Sequence, residues 1–465
     1  MNYRRALLIC IWVYCLSWSF DYRGEAQSGG TAVQFVFFAV TVASALGTIA
    51  LGYRRLFALP VGWLTLGWGL YLLSTPLVAW VNGVDFIWFF KTSIPPFLLF
   101  TSLCVTQIAA ASGLNWRHVL WPMLLASLIN VIWKIVYALL IARIPIETVR
   151  LELLSPCLPF LMAYLFSGLA LSRRVPWLPM IAGAVGTASY ALSVTRSAVF
   201  ILGAAGLGAM LSIWQARRLR LLSHRFLQIK CLHAMTAAGL LAMFGVLGVV
   251  AFPLVVDRWV ERLFHTAGAA QSSADPSALT RYAETRSFYD LLNQEPLTWI
   301  YGKGLGAPYY WDERYTVELV EYTYGHEDEF RAETADVRFP GHSVWTYAVF
   351  SGGVLGGISY LLMFAAAVVV AFRAARGLVQ VRTWPVELAF LPFITLLAFL
   401  SQSLTINPFI ERAGGLVLGI VMGFPQFLYT AAWQARRAAR AALRPAWSPV
   451  AGVPLIPEDP SQNPA

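Results

Sequence analysis

The chain has 465 residues, of which 58% are hydrophobic and only 12% charged, with a formal net charge of +10. Its mean hydropathy of +0.62 excludes an ordinary soluble globule and fits a polytopic membrane protein. The positive balance requires no nucleic-acid partner, because topology and contact with anionic membrane lipid account for it.

Twelve apolar segments follow one another, at about 5–20, 31–51, 58–80, 87–110, 118–142, 156–172, 177–194, 196–215, 231–253, 343–370, 385–404 and 413–433. They predict an all-α polytopic membrane protein with about 12 transmembrane helices, several of them near the minimum length for a hydrocarbon core of ~30 Å. The first has Arg4 and Arg5 ahead of a short apolar run, as a signal peptide would. Ser17–Trp18–Ser19–Phe20 lacks small residues at both positions of a cleavage site, so an uncleaved anchor is expected.

Orientation follows from Lys and Arg. With the N-terminus in the cytoplasm, nineteen of them fall inside, including Arg217, Arg218, Arg220, Arg225 and Lys230 in one loop. The short outer loops hold five: Arg23, Arg143, Arg150, Arg196 and Arg412. An even number of spans returns the C-terminus to the cytoplasm, where Arg436, Arg437, Arg440 and Arg444 agree. The expected organisation is spans 1–9 over residues 1–253, an extracytoplasmic loop domain over 254–342, spans 10–12 over 343–433, and a disordered cytoplasmic tail over 434–465. All five cysteines (Cys10, Cys15, Cys104, Cys157, Cys231) fall in or beside apolar segments, so no disulfide framework braces the loop.

That loop, between spans 9 and 10, is the most informative stretch. Residues 257–342 carry fifteen Asp and Glu, eight Lys and Arg and three His. Loops of this size fold, act or are disordered, and aromatics such as Phe288, Tyr289, Trp299, Tyr309, Trp311 and Tyr324 argue against disorder. After Asp275–Pro276–Ser277 a helix is expected over 278–294, with Tyr282, Thr285, Tyr289 and Leu292 on one face and Arg286 paired with Asp290. Gly302, Gly304 and Gly306 then suit a tight turn or a close backbone approach. They are not a dinucleotide fingerprint, because no strand precedes them and Pro308 follows.

Three places bring cationic or titratable groups to the outer membrane boundary. Arg196 sits where the seventh span turns into the eighth, its guanidinium fork suited to phosphate oxygens; the blander alternative is a snorkelling anchor. His342, after Pro340–Gly341, enters the tenth span, and its imidazole suits proton transfer near neutrality; the alternative is an exposed or capping histidine. Arg281 and Arg286 lie about 140° apart around the loop helix, so one of them can face a common site, and either could be a solvated surface residue. Lys91, near the outer end of its span, can snorkel; the deeper Lys134 is a candidate for lipid phosphate. Asp21, Asp85 and the run Glu327–Asp328–Glu329 make no metal site, and no cofactor is expected.

Together these residues resemble the O-antigen ligase and polymerase superfamily of bacterial polysaccharide assembly. Thr195–Arg196–Ser197 is similar to its Ser-Arg-Gly/Ala element. Thr280–Arg281–Tyr282, then Pro296 and Gly302-x-Gly304-x-Gly306, resembles its loop pattern, although the stretch from Pro296 to Gly302 is longer than usual. His342–Ser343 followed by Gly352–Gly353–Val354–Leu355–Gly356 resembles its His-Asn and glycine-rich span, with Ser343 where Asn is usual. The likeness covers about residues 190–365.

The resemblance implies glycosyl transfer from a polyprenyl-pyrophosphate-linked oligosaccharide to a sugar hydroxyl of a glycan or lipid-linked acceptor. The enzyme would be a metal-independent, inverting polymerase or ligase with its active site on the periplasmic side of the bacterial inner membrane, working beside other polysaccharide assembly proteins. Arg196 and Arg281, with Arg286 as a third, would hold the pyrophosphate, and His342 would deprotonate the acceptor. A transporter or flippase of lipid-linked glycans is the alternative. Against it, Gly52–Tyr53–Arg54–Arg55 lacks the acidic partner of major-facilitator proteins, and no paired Gly/Pro interruptions mark two halves. A sensor or scaffold that only binds glycan is a third reading.

Overall fold

The computed structural model describes residues 3–20, 32–56, 62–145, 149, 153–172, 176–195, 197–222, 255–257, 259–260, 276–312, 314–315, 341–381, 385–404, 406–409, 412–430 and 433. Among these residues the regular elements are helices, with no strand. They are α1 (Tyr3–Ser17), α2 (Ala32–Gly52), α3 (Gly62–Val81), α4 (Phe86–Ala111), α5 (Arg117–Val136), α6 (Leu158–Leu171), α7 (Trp177–Ser193), α8 (Ser197–Arg218), α9 (Pro276–Asn293), α10 (Thr298–Tyr301), α11 (Val344–Val381), α12 (Val386–Ser403) and α13 (Arg412–Gly423). The apolar segments expected up to residue 215 and from 343 onward coincide with helices; the one expected over 231–253 lies outside the described residues, as does the tail.

Seven described helical stretches are long and apolar enough to cross a membrane: Val33–Arg55, Phe86–Ala111, Arg117–Ile141, Ser197–Arg218, Val344–Gly377, Val386–Ser403 and Arg412–Thr430. The chain thus has the helices of a multi-pass membrane protein. α1, α6 and α7, at 15, 14 and 17 residues, fall short of the ~20 that a straight crossing needs. The outward faces stay apolar, with Leu73, Trp80, Phe200, Met210 and Leu362 all exposed, as expected of helices whose surroundings are lipid.

Close approach is built on small residues. Gly415, Gly419 and Gly423 recur every fourth position of α13, on one face. A Cβ at Gly415 would meet the backbone of Pro95, at Gly419 that of Leu99, and at Gly423 the Thr106 side chain, so α13 lies parallel to α4 with backbones nearly touching. Gly419→Leu is expected to destabilise the bundle by about 1–3 kcal/mol, seen as a lower unfolding midpoint in detergent. Gly203→Leu, at a site open to its surroundings, is the matched substitution expected to leave it unchanged.

Helix pairing decides which ends lie together. Gly67 of α3 faces Met363 of α11, and Tyr71 faces Gly352, so the end of α3 lies beside the start of α11. Phe372 meets Phe393 at 5.0 Å, which runs α12 back toward that same end. The Ser167 hydroxyl donates to the Glu387 carbonyl, so α6 ends where α12 begins. Gly168 against Pro179 and Gly186 against Met162 make α7 antiparallel to α6. The turn from α7 to α8, containing Thr195 and Ser197, is therefore at the same end of the bundle as the start of α11.

Candidate active site

α9 covers the expected loop helix almost to the residue, but its buried face differs from the expected one. Ala283, Glu284, Ser287, Phe288 and Leu292 are buried, whereas Tyr282 and Tyr289 stay exposed. Both stripes have helical spacing; what separates them is that tyrosine keeps a polar tip in water and phenylalanine has none. Phe288 stacks on Phe350 of α11 at 4.5 Å and meets Tyr309 edge-on at 4.6 Å. This aromatic cluster, with Leu305, Ala307 and Tyr347, welds α9 to the first turns of α11. The expected Arg286–Asp290 pair is replaced: Asp290 accepts from Arg314 at 2.9 Å and from the Tyr315 hydroxyl at 2.8 Å, while Arg286 lies over the Tyr282 ring at 5.4 Å.

The three glycines make a clasp. α11 is interrupted at Gly353, whose φ of 64° and ψ of −169° no side-chain-bearing residue adopts readily. The loop enters there: the Lys303 and Gly304 N–H groups donate to the Phe350 and Ser351 carbonyls at 2.8 and 2.9 Å. Carbonyls that the break in the helical ladder frees are thereby satisfied. Gly304, at φ 94°, lies against the backbone of Ala79, and the Gly306 N–H donates to the Tyr347 hydroxyl at 3.2 Å. The triplet serves close backbone approach, joining the loop to α3, α4 and α11.

This clasp and the aromatic cluster seat Glu284 directly on His342. The Glu284 carboxylate, 2% exposed, accepts the His342 backbone N–H at 2.9 and 3.1 Å, and its Oε2 lies 2.7 Å from the ring Nδ1. The His342 side chain is 38% exposed, so the ring is gripped by Glu284 and still reachable from solvent. Trp311 flanks it, ring centroids 6.1 Å apart. Burial, and then the charge of Glu284, push the Tyr309 phenol well above its ordinary range, so Tyr309 stays a neutral neighbour at any physiological pH. At the loop surface, the Arg314 guanidinium holds the Asp312 carboxyl below the usual carboxylate range.

Arg281 lies three residues before Glu284 and seven before Phe288, on the same face of α9. It is half-buried, its Nε shut off from solvent. Arg286 is exposed on the opposite side. Of the two, Arg281 is therefore the one brought toward His342. Arg196 itself lies outside the described residues, as do His326 and Glu327–Asp328–Glu329. Its neighbours Thr195 and Ser197 are buried at the His342 end of the bundle. Among the described residues no three of His, Cys, Asp and Glu come together as a metal site.

The chain matches no protein-family model and no curated protein.

Lys134 is not a phosphate ligand waiting at the surface. It is buried, and its ammonium donates to the Leu154 carbonyl at 2.5 Å, beside Asn130, which accepts from Ser155 at 2.7 Å and donates to the Ser19 carbonyl. Lys134→Ala is expected to cost about 1–3 kcal/mol of stability, through the carbonyl it leaves unpaired. Affinity for a phosphate-bearing lipid, measured in parallel, is expected not to change. Lys91 sits over the Trp88 ring at 4.5 Å, as an interfacial cation does.

Glu284 is the residue of this site that sequence reading did not single out. Its signal was present: a lone carboxylate on the face of an amphipathic helix that also carries Ala283, Ser287 and Phe288. A charge there is tolerated only with partners to receive it.

Proposed function

We propose that this chain is an inverting glycosyltransferase of surface-polysaccharide biosynthesis, of the O-antigen polymerase or ligase type. Its donor would be an oligosaccharide on polyprenyl pyrophosphate, its acceptor a sugar hydroxyl, and its location the bacterial inner membrane with the site facing the periplasm. Twelve crossings with the 254–342 segment outside belong to the same proposal, supported by the distribution of Lys and Arg.

The observation that carries it is the His342 imidazole, held by a buried carboxylate at a bundle end that also holds Arg281 and the residues flanking Arg196. Two chemical tasks meet there. The acceptor hydroxyl is a poor nucleophile until a base takes its proton, and the partly exposed His342 imidazole is the group suited to that. The oxygen then attacks the anomeric carbon as the bond to pyrophosphate breaks, inverting the centre. The departing polyprenyl pyrophosphate gains negative charge, which the guanidinium groups of Arg281 and Arg196 stabilise. Arg286, exposed and stacked on Tyr282, is left outside this set.

The test is transfer by purified full-length protein from a lipid-linked oligosaccharide to acceptor glycan, with chain length sized by gel. Single repeat units accumulating in a deletion strain mark a polymerase; long chains stranded on lipid mark a ligase. Movement of a fluorescent lipid-linked sugar across vesicles with no transfer product would overturn the proposal in favour of a flippase.

A further inference from the structure

We propose that Glu284 is the positioning residue of the site, fixing the tautomer and the aim of the His342 imidazole; this rests on the glycosyl-transfer reading. A backbone N–H can only donate, so the His342 N–H contacts at 2.9 and 3.1 Å orient the Glu284 oxygens as acceptors. With Glu284 as a carboxylate, the 2.7 Å contact to Nδ1 is a donation from the ring as well, since a bare Nδ1 lone pair would face a carboxylate lone pair. The neutral ring is therefore protonated on Nδ1, and its basic lone pair lies on Nε2, at the edge away from Glu284.

The same carboxylate holds both the backbone and the ring of one residue, so the ring cannot swing without breaking its Nδ1 contact while the backbone stays pinned. Gly341 permits this: its φ is 70°, and a Cβ there would run into Glu284 Oε1. Behind Glu284, Phe288 stacked on Phe350 keeps α9 from moving away. When Nε2 takes the acceptor's proton, the imidazolium formed lies against a buried carboxylate. Glu284 touches neither sugar nor pyrophosphate in this scheme; it acts through His342.

A purely structural role is the rival, with Glu284 merely tying α9 to the start of α11, and three readouts separate the two. Glu284→Gln in the full-length protein is expected to lower kcat by ~10²–10⁴-fold with KM little changed. In a His342→Ala background the same substitution is expected to cause no further loss, because its effect passes through the missing ring. In 15N-histidine spectra of the substrate-free protein, the signal absent from His342→Ala reports the tautomer, expected Nδ1-protonated in the parent and shifted toward Nε2-protonated in Glu284→Gln. Full kcat in Glu284→Gln, an additive loss in the double variant, or an Nε2-protonated ring in the parent protein would each overturn the proposal. The last needs no Glu284 variant, only the His342→Ala spectrum that assigns the signal. A parent protein that transfers no glycan while its tautomer responds to Glu284→Gln would sink the enzymatic reading and leave the assignment of the ring intact.

Discussion

His342→Ala is expected to lower glycan transfer by about 10²–10⁴-fold, the usual contribution of a positioned general base, while the protein still inserts and unfolds at an unchanged midpoint. The second half of that expectation comes from geometry. The ring is 38% exposed and fills no part of the aromatic cluster, so its removal leaves no core cavity. Its loss does leave Glu284 without one of its three contacts, but the backbone N–H bonds persist. His342→Gln is the informative companion: it keeps a hydrogen-bonding side chain without a proton acceptor basic enough to replace imidazole. Full turnover by either variant, assayed with a lipid-linked oligosaccharide, would remove His342 from the mechanism.

Arg281→Ala is expected to reduce kcat by about 10²–10³-fold, the scale on which losing one donor to a developing anion acts, and Arg196→Ala to do likewise. Arg286→Ala is expected to stay within about twofold, as surface substitutions do, because that side chain lies over the exposed Tyr282 ring on the far side of α9. The contrast matters more than either number. Charge alone would make the two α9 arginines equivalent, five residues apart on one helix; the burial of Glu284 and Phe288 selects Arg281. Arg281→Lys is expected to recover only part of the activity, since an ammonium keeps the charge but loses the planar fork that matches phosphate oxygens. Equal losses in Arg281→Ala and Arg286→Ala would show that neither acts through a fixed geometry.

Much of the architecture was legible because membrane helices advertise themselves. A run of apolar residues the length of a bilayer has few other fates, and the described helices begin and end close to where hydropathy changes. Span length was less legible. α6 at 14 residues and α7 at 17 occupy apolar segments bounded by prolines and polar residues, and a sequence does not state where a buried helix stops short of a full crossing. The loop helix was legible in position and not in rotation. Tyr282 and Tyr289 matched the period as well as Phe288 did, and the polar tips of the tyrosines together with the partners on α11 decided which stripe turned inward.

By itself, the sequence determined a helical membrane chain, a helix near 276–293, and His342 just ahead of a late apolar helix. These rest on composition and local pattern, which need no partner from elsewhere in the chain. Tertiary structure alone decided that Gly302–Gly306 would clasp the break at Gly353, that Lys134 would be spent on a carbonyl, and that Glu284 would meet His342 across 58 residues. Each of these joins groups far apart in the chain. A hydrogen bond or a backbone contact depends on distance and direction in space, and neither is written in the spacing of letters along a chain.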